Sequence, residues 1–158
     1  MAIDSFLKLD GIMGESEDAN HKNEIRIHSY SMGGSQTTSV GGTGGSGVGR
    51  VELHDFTIMK HVDKATTPIF KALVSGTHIK TGTFTQNKAG AGGKPFLKVD
   101  FQELFVTSQQ FSGSDDHPME SVTFSFNQIA MEYSQQNEQG IVTSTGKVTW
   151  NGKQGKLS

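Results

Sequence analysis

The 158-residue chain has the length of one domain, which leaves little room for a separate cofactor domain. Its apolar fraction of 33% enters the ordinary globular range once the 20 glycines are counted, and its 10 Phe and one Trp predict a lean core built on a few large rings. With 14 basic and 16 acidic residues there is no positive field to hold a phosphate backbone, so nucleic-acid binding is excluded as a general role, and the absence of Cys removes disulfides, thiolate metal sites and Cys nucleophiles.

In chain order, Ile3 to Leu9 reads as a strand ending at the turn signal Asp10-Gly11, followed by an acidic loop from Gly14 to Asn20. Asp4 and Asp10 stand where a signal peptide needs basic and then apolar residues, and no run approaches the roughly 20 apolar residues that cross a bilayer. Neither a signal-peptide route nor stable membrane insertion is therefore expected. Glu24 to Tyr30 alternates at period two and predicts a second strand. Residues 33–49 hold eight glycines among Ser, Thr and Gln and read as an extended flexible loop. Strand character resumes from Val51 to Ile58.

One helix is expected, with Thr67 as its cap and Pro68 as its first residue. Ile69, Phe70, Leu73 and Val74 would form its buried face, and Gly76 would end it. Thr77 to Thr85 and Phe96 to Phe111 are strands separated by a second glycine-rich turn at Gly90, Gly92 and Gly93. Glu120 to Tyr133 and Val142 to Trp150 complete a set of about seven or eight strands. Three of the long strands change apolar phase part-way: near Asp55, between Phe101 and Leu104, and between Phe126 and Ile129. Such a slip predicts either a β-bulge that bends the strand or burial on both faces. Bent strands suit a small closed or two-layered β structure, and two-sided burial would require neighbouring subunits.

The candidate chemistry is thin. Gly42 to Gly47 matches G-x-G-x-x-G, but a strand follows where dinucleotide binding needs a helix N-terminus. Gly93-Lys94 lacks the spacing of a phosphate loop. The histidines at 21, 28, 54, 61, 78 and 117 form no close ligand pair, and His54 with Asp55 and His61 with Asp63 are the combinations that come nearest to a site. The acidic stretches Glu15 to Asn20 and Ser112 to Asp116 lack the spacing of a Ca²⁺ loop and read as solvated turns. No catalytic, cofactor-binding or metal residue is assigned, no cofactor is expected, and the chain is not read as an enzyme.

The order of segments nevertheless resembles a known family. Gly14-Glu15-Ser16, His21 to Ile25 leading into Ser29-Tyr30-Ser31, the glycine-rich loop, and Asp63 to Pro68 before the helix carry the first half. Gly76 to Ile79, Val106-Thr107-Ser108, the block Gly113 to Val122, and Phe126 to Ile129 up to Tyr133 carry the second. Together they resemble the haemolysin-coregulated protein (Hcp) family, the inner tube of type VI secretion systems. Thr67-Pro68 stands where the family often has Ser-Pro, and the tail, residues 151–158, is not matched.

The resemblance implies a single tube-protomer domain over 1–158: a small β-barrel of two antiparallel sheets with one flanking helix, phage-tail-tube-like, assembling as a hexameric ring. Rings would stack into a tube inside a contractile sheath, tipped by a spike protein and carrying effector cargo proteins in the lumen. The protein would be assembled in the bacterial cytoplasm, then secreted to the extracellular space or into target cells. Gly41, Gly42, Thr43, Gly44, Gly45, Ser46, Gly47, Val48 and Arg50 would form the loop that contacts the next ring. The chain's ends differ in charge, with six acids and two bases in residues 1–24 against three lysines and no acids in 140–158, which predicts weak, salt-screened stacking if they lie at opposite rims. Two other readings stand beside this one: a monomeric or dimeric barrel binding a small ligand inside it, and an enzyme assembled from scattered His, Asp and Glu.

Overall fold

A computed structural model describes residues 2–39, 47–88, 94–113 and 115–158. β1 (Ile3–Leu9) pairs with β2 (Ile25–Ile27) on one side and β7 (Ile79–Lys88) on the other, and β7, β8 (Pro95–Ser112) and β9 (Met119–Gln136) form an antiparallel meander. The second edge of β9 is shared. Its first half pairs with β6 (Phe56–His61), which also pairs with β3 (Ser29–Ser31), and its second half pairs with β10 (Val142–Asn151), which carries β11 (Lys156–Leu157) at its end. Only His28 separates β2 from β3. The circuit β1, β2/β3, β6, β9, β8, β7 therefore closes on itself, and the result is a small antiparallel barrel. β4 (Gly34–Ser39) and β5 (Gly47–Leu53) form a separate two-stranded ribbon.

The barrel interior is filled by phenylalanine. Phe56 stacks on Phe101 at 4.8 Å, meets Phe84 edge-on at 5.4 Å and lies 6.2 Å from Phe124. All four are buried, with Ile58, Leu104 and Val122 packed around them. On the outer face, Phe6 is covered by the loop after β1, where His21 stacks on its ring at 4.3 Å. His21 Nε2 accepts from Asn87 Nδ2 at 2.8 Å, which leaves Nδ1–H to donate to Glu24 at 3.1 Å. A Cβ at Gly14 would stand 2.4 Å from the Glu24 carbonyl oxygen, so this loop can lie against β2 only with glycine there.

The helix α1 (Thr66–Ser75) closes at Gly76 as expected, with φ 67° and its N–H on the Ala72 carbonyl. Its start and its face differ from expectation. Ala65 occupies the cap position; Thr66 Oγ1 accepts the Asp63 N–H at 3.0 Å, and Asp63 Oδ1 accepts the Ala65 N–H at 2.9 Å. Ile69 is buried and Ala72 and Leu73 pack on the core, but Phe70 and Val74 remain 51% and 66% exposed. The predicted face spanned too wide an arc, and only its Ile69/Leu73 side docks. Beneath the helix Lys60 is fully buried, with Nζ 2.5 Å from Glu120 and 2.8 Å from Asp63. Gln109 ties the cluster to the helix, donating to Glu120 at 3.3 Å and to the Thr66 carbonyl at 3.2 Å.

Two of the three predicted phase slips have separate causes. The run Val51 to Ile58 is two strands, because the chain leaves the ribbon at Leu53 and enters the barrel at Phe56. Glu24 to Tyr30 likewise splits at His28, whose N–H reaches the Met59 carbonyl at 2.8 Å. In β8 the buried set passes from Val99 and Phe101 to Leu104 and Val106 across Glu103, the left-handed residue of the strand with φ 53°. The register with β9 is unchanged there, and the bulge lies further on, between Val106 and Ser108. These splits, together with β4 and β11, raise the strand number to eleven among the described residues. β4 arises inside the segment read as a loop and β11 inside the unmatched tail.

Candidate assembly surface

The register across the sheet aligns one row of core-facing side chains: Ile25, Leu7, Phe84, Val99, Met131 and Val148 stand successively opposite one another. The first four are fully buried, whereas Met131 is 42% and Val148 56% exposed. Side-chain chemistry does not change along the row; cover does. β6 lies opposite the barrel half of β9 and ends its pairing at Phe124, so the β9–β10 half extends past the barrel wall with its core-type face open. Tyr133, two residues beyond Met131, continues this apolar surface.

A second surface is the β4–β5 ribbon, whose strands, among the described residues, pair only with one another. Isolated two-stranded ribbons are marginal in water, so this one gains from a partner. Between it and the β10–β11 turn runs a cleft of about 810 Å³, lined by Arg50, Val51, Leu53, Asp55, Phe126 and Trp150 among others.

The predicted contact loop meets the structure only in part. Gly41, Gly42, Thr43, Gly44, Gly45 and Ser46 lie outside the described residues, as does the turn at Gly90, Gly92 and Gly93. Gly47 and Val48 belong to β5, and Arg50 is exposed on the cleft wall. Of the titratable candidates, His54 and Asp55 are exposed at the junction of ribbon and barrel. The structure gathers a string that the sequence separates, His28 to His61 to His117, with ring centroids 6.1 and 5.5 Å apart. Among the described residues no three ligand groups converge to hold a metal ion. An internal ligand would need space now occupied by Phe56, Phe84, Phe101 and Phe124.

The point where β9 exchanges β6 for β10 has its own polar fastening. The ladder runs Gln102 to Gln128 and then Leu104 to Phe126, and the skipped residues, Glu103 and Asn127, join through their side chains instead. Lys153, in the turn after β10, adds an ion pair to Glu103 at 2.9 Å, and Gly152 N–H donates to the Asn127 carbonyl at 2.7 Å. The hydrogen bonds from Lys153 and Asn127, with the charges of Lys153 and His78, hold the Glu103 carboxyl below its ordinary range against partial desolvation.

The model of the family described as "Type VI secretion system effector, Hcp" matches residues 6–133. The chain belongs to the Hcp family. Protein hcp1 of Pseudomonas aeruginosa is 34% identical over 143 residues, covering 89% of this chain and 88% of its own. The structure of Hcp1 from Salmonella typhimurium superimposes with a TM-score of 0.81 at 33% identity over the full length of both chains. That of another type six secretion system protein reaches 0.93 at 25% identity, covering 99% of this chain and all of its own. The family match stops at Tyr133, whereas the likeness to both structures runs on across β10 and the C-terminal turn.

Proposed function

We propose that the whole chain, residues 1–158, acts as one protomer of a homohexameric ring, and that rings stack into the inner tube of a type VI secretion system. The observation that carries this reading is the row from Val99 to Met131 and Val148, in which a core face runs uncovered into solvent. A second copy of the chain supplies the cover most economically, since a closed ring repeats one contact until no face is left open. Effector proteins travel in the lumen, a contractile sheath surrounds the tube and a spike protein tips it. The tube is assembled in the bacterial cytoplasm and then leaves the cell. The protein acts as conduit and carrier rather than as an enzyme. The segment containing Gly41, Gly42, Thr43, Gly44, Gly45, Ser46, Gly47, Val48 and Arg50 meets the adjacent ring, supported by a ribbon whose strands, among the described residues, pair only with one another.

Deleting Gly41 to Gly47 separates the two levels of assembly. Rings of six persist, while stacking in low salt and export from a secreting strain are lost. Loss of the rings themselves would move this segment to the contact within a ring.

A further inference from the structure

We propose that the turn joining β10 to β11 is a strap that fixes the angle between the barrel and the open sheet face, so that the Glu103–Lys153 pair governs ring closure from outside the ring contact. This inference rests on the ring reading above.

Five observations converge on the bend. Glu103 is held at φ 53°, a left-handed conformation that side chains with a Cβ adopt at a cost. It lies at the step where the buried set of β8 changes phase and where β9 trades β6 for β10. Its unpaired partner in the ladder, Asn127, is bound twice: by its side chain to Glu103 and by its carbonyl to the Gly152 N–H. Lys153 then closes the triangle from the same turn as Gly152. A Cβ at Gly152 would stand 2.8 Å from the Asn127 carbonyl oxygen, so this approach requires glycine. The contacts leave the apolar cores of barrel and extension untouched. What they hold is the relative placement of two parts of the same long strands, and with it the direction in which Met131 and Val148 face.

The Glu103 carboxylate faces the Lys153 and His78 cations and the Asn127 amide. Because its folded pKa is lowered, the strap contributes fully above the ordinary carboxylate value of about 4.3 and is lost as pH falls through the depressed one.

The test compares wild type with Lys153→Met, Gly152→Ala and the tail control Lys156→Met. Three quantities are read: the concentration at which rings half-dissociate, the thermal midpoint of the dissociated chain, and amide exchange around residues 102–104 and 126–128. For Lys153→Met the half-dissociation concentration rises roughly fivefold, as loss of an exposed ion pair at the bend implies. Gly152→Ala raises it further. In both, exchange at the bend accelerates with the thermal midpoint nearly unchanged, Lys156→Met behaves as wild type, and the gap between wild type and Lys153→Met closes at acid pH. Unchanged dissociation and exchange in both strap variants overturns the proposal. So does a fall in thermal midpoint that accounts for the ring loss, because the turn would then be part of the protomer's own stability. A wild-type chain that never forms rings defeats the ring reading, and the exchange measurement then decides the strap by itself.

Discussion

The two halves of β8 and β9 are built from the same kinds of residue and meet different fates. In the barrel half, Leu104, Val106, Val122 and Phe124 are sealed by β6 and α1; in the other, Met131 and Tyr133 of β9, with Val148 of the adjoining β10, continue an apolar face that the described residues leave about half exposed. Apolar patterning records which side of a strand is meant to be buried and says nothing of whether the cover comes from the same chain. The difference between the halves therefore separates residues that hold the protomer from residues that hold the assembly.

Substitutions can break that separation, beginning with the barrel. Phe56→Ala opens a cavity among Phe84, Phe101 and Phe124 and lowers protomer stability by about 3–5 kcal/mol in denaturant unfolding, whereas Val148→Ala changes the unfolding of the dissociated chain by no more than about 0.5 kcal/mol. Comparable losses in both would place Val148 inside the protomer core. Lys60→Ala strands Glu120 as a buried carboxylate and Asp63 as a part-buried one and costs about 3–5 kcal/mol, while the double change Lys60→Met with Glu120→Leu recovers most of the loss. Failure of the double variant to recover would mean that the cluster orients α1 in a way packing alone does not replace.

Within the helix, Leu73→Ala destabilises the dissociated protomer by about 2 kcal/mol and Phe70→Ala by less than about 0.5, because Leu73 packs on the core and Phe70 is half in solvent. The smallest effect sharpens the account of the bend. Glu103→Gly is more stable than Glu103→Ala by about 1 kcal/mol, since both lose the Lys153 pair and only Ala keeps the cost of the left-handed backbone.

The readable parts of the fold were those governed by local chemistry. β1 announced itself by its apolar run and the Asp10-Gly11 turn, and α1 by Pro68 and by Gly76, whose φ of 67° suits glycine. The parts that depend on distant neighbours were not readable. Nothing in Glu24 to Tyr30 says that the chain changes partners at His28, since the residues on both sides suit a strand and the partners lie elsewhere in the sequence. Gly34 to Ser39 reads as a loop on composition, and becomes a strand only because β5 lies opposite it. The phase change at Glu103 was visible, but its cause, a left-handed residue secured by Asn127 and Lys153, required three segments to be brought together. The apolar character of Met131 and Val148 was equally plain, and the missing fact was that the wall stops short of them.

The most direct test of the assembly claim is native mass spectrometry of the wild-type chain beside Val148→Asp, with circular dichroism on both. The account predicts six-copy rings for wild type, single chains for Val148→Asp, and the same β spectrum and unfolding midpoint for the dissociated forms. Rings of undiminished stability in Val148→Asp would contradict it, because a carboxylate could not then lie at the face that the neighbouring copy is claimed to cover.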